Sequence, residues 1–269
     1  MSGAPIISLT TDFGTRDWFV GTVKGVIATI NPQARVVDVS HEIPPGDIRA
    51  GAFALASSYA FFPKGTIHLA VVDPGVGSSR RAVAVRTENF WFVGPDNGVL
   101  SWATAREKIK SVHLLENPRF FLHPMSHTFH GRDLFSPVVA HLSKGVSVQR
   151  FGPRAANLVT IPWPTARRTR GGFTGEIVYV DRFGNCITNL RAQDFADTHA
   201  KAVVVRAGRK CRCCLQPYYQ AIPKGRPAAV IGSSGFIEIA VNGGNAAQQF
   251  RLRSGHSVNA TFVTRSRSS

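Results

Sequence analysis

The stretch Thr66-Ile67-His68-Leu69-Ala70-Val71-Val72-Asp73-Pro74-Gly75-Val76-Gly77-Ser78-Ser79-Arg80 decides how this chain is read. Its first seven residues form an apolar run that reads as a buried strand. The run ends abruptly on the carboxylate of Asp73. A Pro-Gly-x-Gly turn follows and sends the chain back, so Asp73 and Arg80 face each other across a tight loop. In open α/β sheets the carboxyl ends of the strands are where ligands sit. A carboxylate and a guanidinium at that edge can orient a small nucleophile.

Upstream of this strand, Ile6–Thr10 is a second short apolar run, ending at Thr11-Asp12-Phe13-Gly14. Phe19, Val23, Val26, Ile27 and Ile30 then share one helical face, and Asn31-Pro32 stops that helix. Val36–Val39 predicts a further strand, and Asp47 a cap for an Ala-rich helix reaching about Phe61. The β-α-β-α-β order predicts a mostly parallel sheet with flanking helices. Downstream, Ala82–Arg86 and Phe90–Val93 read as a strand pair, and Ser111–Leu115 as another strand. Asp133 reads as the N-cap of a helix at about Leu134–Leu142.

The texture changes after Phe151. Residues 161–172 are Pro-rich, basic and Gly-ended, and read as a linker. Short alternating runs separated by turn signals follow, the pattern of a small all-β barrel or sandwich. The expected organisation is α/β: an N-terminal domain over 1–160, the linker at 161–172, and a β domain over 173–269.

Hydrophobic residues make up 43% of the 269, enough for a real core. No apolar run approaches the roughly 20 residues that span a bilayer, and the N-terminus lacks the basic start of a signal peptide. A cytoplasmic protein is expected. Net charge is +16: residues 1–163 hold 16 Lys and Arg against 11 Asp and Glu, and residues 164–269 hold 16 against 5. A basic C-terminal half can attract nucleic acid, but aromatics are not interleaved with the basic residues as stacking platforms require. Nucleic acid is therefore not the expected partner. Of the four cysteines, three fall in Cys211-Arg212-Cys213-Cys214 and one is Cys186. They lack the spacing of a zinc site and read as surface thiols in a basic loop. No metal is expected.

Several residues can carry chemistry. Asp12, at a strand end, suits a ribose diol or caps the next helix. Asp17 can meet an amine or stand solvated. His130, within Thr128-Phe129-His130-Gly131-Arg132-Asp133, can orient or deprotonate a nucleophile, or simply bond within its loop. Asp181-Arg182-Phe183-Gly184-Asn185 is an ordinary hairpin turn whose Phe183 can stack on a base and whose Asn185 can bond its edge. Gly232-Ser233-Ser234-Gly235 offers hydroxyls and backbone N–H groups to a carboxylate, and Asn242-Gly243-Gly244-Asn245 allows close backbone approach. G-x-S-x-G, P-loop and G-x-G-x-x-G fingerprints are absent, which argues against a serine hydrolase, an NTPase and a dinucleotide enzyme.

Taken together, the chain resembles the S-adenosyl-L-methionine (SAM) hydroxide adenosyltransferases, or SAM hydrolases, relatives of the fluorinating and chlorinating SAM enzymes. Six ordered motifs carry the resemblance: Thr10–Gly14, Val72–Gly77, Gly94-Pro95-Asp96-Asn97-Gly98, Thr128–Asp133, Asp181–Asn185 and Gly232–Gly235. It implies an N-terminal α/β domain, a C-terminal β-barrel and a homotrimer with active sites between subunits. It implies that Asp73, Arg80 and His130 hold the attacking water, and that Asp12 binds the ribose. Asp17, Asp181 and Ser233 would contact the methionine part, and Phe183, Asn185 and the backbone near Gly243 the adenine. SAM would be substrate, adenosine and L-methionine the products, and no cofactor would be needed. The halogenating relatives carry a tyrosine where this chain has Asp73, a long loop where Arg86–Leu100 is short, and arginine where Ser234 stands. The alternatives are a SAM-dependent halide transferase and a SAM- or adenosine-binding protein without turnover. The Cys211–Cys214 segment matches no motif.

Overall fold

The strand preceding Asp73 is an interior strand of a six-stranded sheet. The computed structural model describes residues 3–195 and 202–263, and the chain divides into two compact units, 1–162 and 163–269. In the first unit the order is β1 (Ile6–Thr11), α1 (Phe19–Ile30), β2 (Arg35–Ser40), α2 (Ile48–Ser58), β3 (Ile67–Val71), β4 (Ala82–Thr87), β5 (Trp91–Pro95), α3 (Ser101–Thr104), β6 (Ile109–Leu114) and α4 (Ser136–Ser143). The strand order is β2-β1-β3-β5-β4-β6. Helical crossovers make β1 parallel to β2 and to β3, and β3 is parallel to β5. The hairpin that joins β4 to β5 makes β4 antiparallel to both its neighbours. The sheet is therefore mixed.

Ile7, Leu9, Ile67, Leu69 and Val71 share one face and pack with Val23 and Ile27 of α1 and Val138, Val139 and Leu142 of α4. Asp47 caps α2 as expected, its Oδ1 accepting from Ala50 N at 2.9 Å. Gly51 lets α2 approach β3 closely, since a Cβ there would lie 2.8 Å from Val72 Cγ2.

His68, on the other face of β3, is fully buried among the rings of Tyr59, Phe62, Phe90 and Phe92. Its Nδ1 bonds Ser8 Oγ at 2.7 Å, and its Nε2 has no partner among the described residues. Burial pushes its pKa down to about 4. An unfolded histidine titrates near 6.5, so the unfolded chain takes up the extra proton as pH falls from 6.5 to 4. Stability is lost across that window, by about 3 kcal/mol in total. Urea unfolding of the wild type and His68→Leu should therefore give a stability difference that shifts by about 2 kcal/mol between pH 7 and pH 4.5. A difference independent of pH would show that His68 does not titrate this way.

The second unit contains β7 (Arg167–Thr169), β8 (Gly172–Val180), β9 (Cys186–Arg191), β10 (Ala202–Ala207), β11 (Cys211–Gln216), β12 (Pro227–Ile231), β13 (Phe236–Val241), α5 (Ala246–Phe250) and β14 (Ser257–Val263). Seven of these strands close in the order β14-β10-β11-β12-β13-β9-β8, with β8 pairing back to β14 and β7 added to β8. The unit is a closed β-barrel.

Three expectations are corrected. The residues read as a linker include β7, because beyond Pro164 no proline blocks pairing of Arg167–Thr169 with β8. Cys211–Cys214 is not a surface loop but the start of β11. Strand alternation turns Cys211 and Cys213 into the barrel core beside Cys186, leaving Cys214 exposed. Burial pushes the Cys186 thiol up to about 12, so it behaves as an apolar side chain. Asp133 does not cap α4. The chain enters that helix through a π-turn, Gly131–Phe135, and Asp133 instead accepts from Ser126 N at 2.8 Å and pairs with Arg132. Among the described residues, no helix is long and apolar enough to cross a membrane.

Candidate active site

Because β1 and β3 run parallel with Thr11 opposite Val71, Asp12 and Asp73 leave the sheet at the same edge. Asp73 follows Val72, whose carbonyl accepts from Asn97 Nδ2 at 2.9 Å. The turn after it is tied by Val76 N to Asp73 O (3.2 Å) and Ser78 N to Gly75 O (3.1 Å), and Arg80 N donates to Ser78 Oγ at 3.2 Å. This geometry returns Arg80 to Asp73. Its Nε lies 3.0 and 2.9 Å from the two carboxylate oxygens, and Nη2 lies 2.6 Å from Oδ2. Their side chains are only 11% and 5% exposed, so this is a buried, forked ion pair rather than a solvated one. The guanidinium also lies 5.4 Å from the centre of the Phe135 ring.

His130 completes the group. Arg80 Nη2 donates to His130 Nδ1 at 2.7 Å. A guanidinium has only donors, so Nδ1 must accept, and the neutral imidazole carries its proton on Nε2. That Nε2 is buried and has no partner among the described residues. Burial, and next the Arg80 charge, hold the His130 pKa below the usual histidine value, against the opposing pull of Asp73 and Asp133. Imidazolium is thus disfavoured. The sequence left open a proton-accepting His130, but in this arrangement its one remaining role is to donate from Nε2.

Two glycines bring the loops together. Gly77 has φ +76°, and a Cβ on it would lie 2.2 Å from the His127 carbonyl oxygen. The turn carrying Arg80 is therefore pressed against the segment carrying His130. At Gly131 a Cβ would meet Phe13 Cζ at 2.9 Å, so this glycine lets the residue after Asp12 pack beside His130.

Asp12 is half-buried. Gly46 N donates to its Oδ2 at 2.8 Å, and the cap of α1 is Trp18, so Asp12 does not serve that helix. Burial raises its pKa, and the Asp73 charge adds to the rise. Two carboxylates in one another's field favour a ligand that brings positive charge or hydroxyl donors. Asp17 stands exposed just ahead of α1.

The remaining predicted residues lie in the barrel unit. Asp181 holds the β8–β9 turn: Asn185 N donates to Oδ1 at 2.8 Å and Asn185 Nδ2 to Oδ2 at 3.0 Å. Asn185 therefore keeps its Oδ1 and one amide N–H for other partners. Phe183 is 74% exposed at the tip. Ala247 N donates to Gly184 O at 2.9 Å, which docks this turn beside the one containing Gly243 (φ +66°). Ser233 lies in an exposed turn at the other end of β13. Sequence reasoning did not assign roles to Asn97, Gly77, Tyr219 or Glu238. Asn97 and Gly77 carried a signal, within Gly94–Gly98 and the Pro-Gly-x-Gly turn, whereas Tyr219 and Glu238 carried none. Among the described residues, no group of three or more His, Cys, Asp or Glu gathers as metal ligands would.

Comparison with known proteins covers nearly the whole chain. Residues 7–152 match the SAM hydroxide adenosyltransferase N-terminal domain and residues 175–259 its C-terminal domain. A protein of Salinispora arenicola named (R)-S-adenosyl-L-methionine hydrolase is 40% identical, over 97% of this chain and 99% of its own length. One of the same name from Thermus thermophilus is 38% identical, over 91% and 95%. A fluorinase of an Actinoplanes species is 25% identical, over 97% and 98%. A solved structure of a conserved protein from Thermotoga maritima superposes with a TM-score of 0.87 at 35% identity, covering 95% of this chain and 99% of that one.

Proposed function

Since the chain belongs to the SAM hydroxide adenosyltransferase family, we propose that it hydrolyses SAM to adenosine and L-methionine by attack of a water-derived oxygen on ribose C5′. The observation that carries this reading is the buried Asp73–Arg80–His130 group, whose second imidazole nitrogen has no partner among the described residues.

The chemistry needs little more. In the substrate the sulfonium is already an excellent leaving group. An O–C5′ bond forms as the C5′–S bond breaks, the electron pair stays on sulfur and neutralises it, and the water proton goes to solvent. The protein must hold the oxygen in line and favour its hydroxide character, since free water has a pKa of about 15.7. Arg80 supplies fixed positive charge, and His130 donates from Nε2. Asp73 orients Arg80, and a low-dielectric surround strengthens all three. Asp12 suits the ribose diol. Asp17, Asp181 and Ser233 are assigned to the methionine part, and Phe183, Asn185 and the Gly243 backbone to adenine. SAM is substrate and no cofactor enters the scheme. The cytoplasmic setting and homotrimer expected from the sequence belong to the same reading.

The test is purified protein with SAM, assayed for adenosine and methionine in equal amounts. Formation of 5′-halo-adenosine in chloride or fluoride, in place of adenosine, would replace hydrolysis by halide transfer. Binding without either product would leave only a sensor. The donor role of His130 has its own test. A general-base histidine gives a kcat profile that falls as imidazole protonates. Here, His130→Gln should lower kcat at every pH by about 10- to 100-fold without changing the shape of the profile. Loss of a limb between pH 5 and 7 in the variant would restore His130 as a base.

A further inference from the structure

Among the described residues of the second unit, Glu238 is the one buried carboxylate, at 6% exposure, and the scheme above does not use it. Along β13, Ile237, Ile239 and Val241 enter the barrel core, so Glu238 points to the opposite face. Tyr219 OH donates to its Oε2 at 2.8 Å, and no lysine or arginine pairs with it among the described residues. Burying a carboxylate without a cation is costly, which makes such a group a candidate for a role.

The other oxygen shows what the role is. A Cβ on residue 232 would fall 1.7 Å from Glu238 Oε1, so the carboxylate occupies the space a side chain there would need. Gly232 anchors the turn that presents Ser233: its N donates to Phe236 O, and Gly235 N donates to Gly232 O, each at 2.9 Å. Glu238 thus lies directly beneath this turn. Asp181 is near enough for its charge, after burial itself, to help raise the Glu238 pKa. Of the three residues assigned to the methionine part, Asp181 and Ser233 sit in turns at opposite ends of β13, and Glu238 lies between them on that strand.

We propose that Glu238, clamped by Tyr219, is a positioning residue for the amino-acid end of the substrate, holding the Gly232–Gly235 turn in its receiving form. This rests on the SAM-hydrolase reading, and it acts through Ser233 and its neighbours rather than on the reacting atoms. It predicts a selective loss: the amino-acid end is read poorly while the nucleoside end is read as before.

The experiment is steady-state kinetics with SAM, and competition by adenosine, on the wild type, Glu238→Ala, Glu238→Gln, Gly232→Ala and Tyr219→Phe. Glu238→Ala and Gly232→Ala should each raise KM for SAM about tenfold or more with kcat within threefold, and leave inhibition by adenosine unchanged. Gly232→Ala tests position alone, since it displaces an intact glutamate. Glu238→Gln, which keeps shape and an acceptor for Tyr219, should bring KM back to within about threefold of wild type. Tyr219→Phe, at a residue that is 41% exposed, should raise KM by about threefold and serves if Glu238→Ala does not fold. An unchanged KM in Glu238→Ala or Gly232→Ala would overturn the proposal. So would a parallel loss of adenosine binding, or a Glu238→Gln variant as impaired as Glu238→Ala. Wild-type protein that fails to turn over SAM would instead overturn the hydrolase reading on which it rests.

Discussion

Asp73→Asn should lower kcat for SAM by about 10²- to 10³-fold while leaving adenosine affinity within about threefold. The asymmetry follows from what Asp73 touches. Its two oxygens take Nε and Nη2 of Arg80, and the same Nη2 reaches His130 Nδ1. One carboxylate therefore sets the plane of the guanidinium, and the guanidinium sets the tautomer of the imidazole. Losing a preorganised donor array of this kind costs about 3–4 kcal/mol of transition-state stabilisation. Stability should fall too, because breaking a buried ion pair from one side leaves the other charge uncompensated, at about 3–5 kcal/mol. Asparagine keeps one acceptor oxygen and moderates that loss. The measurements are single-turnover adenosine formation at saturating SAM, and adenosine binding by calorimetry. Turnover within tenfold of wild type, or loss of adenosine binding with turnover spared, would remove Asp73 from the proposed role.

Gly77→Ala should be the most damaging methyl group that can be added to the Asp73–Arg80 turn. Alanine at φ +76° pays roughly 1–2 kcal/mol in backbone strain alone. The added Cβ would also sit 2.2 Å from the His127 carbonyl oxygen, a contact no rotamer can relieve because both partners are near the backbone. Either the turn or the 127–130 segment must move, and Arg80 and His130 ride on those two pieces. We expect a stability loss of at least about 3 kcal/mol and a kcat lowered about 100-fold or more in whatever remains folded. Gly75→Ala is the matched control. Its φ is not in the left-handed region, and its nearest neighbours would be Ser78 Oγ at 3.4 Å and Arg80 Cγ at 3.5 Å, ordinary contacts. It should cost under about 1 kcal/mol. Equal effects of the two substitutions, read by thermal unfolding and SAM turnover, would show that the close approach at Gly77 does not hold the site together.

Elements whose chemistry is local were legible in the order of residues alone. Apolar runs bounded by Asp12 and Asp73 placed two carboxylates at strand ends, the Pro-Gly-x-Gly turn predicted that Arg80 returns to Asp73, and Asp47 announced the start of α2. Strand period and turn residues marked most of the barrel. Periodicity failed where polarity and burial disagree. Arg212 between Cys211 and Cys213 reads as a basic loop, yet alternation puts the thiols in a core and the arginine in solvent. It failed also where a helix begins on a π-turn, so that Asp133 spends its oxygens on Ser126 and Arg132. The family resemblance had singled out His130 from the nine histidines; it took the folded chain to show that Arg80 bonds it directly, and which of its nitrogens keeps the proton. That pairing spans fifty residues and depends on a glycine at 77 letting two backbones touch. The folded chain likewise decided that Glu238 stands beneath Gly232. The physical reason is the same in each case: local sequence sets conformation and which face is apolar, whereas a buried polar group's partner is chosen by whatever distant donor the packed chain brings within 3 Å.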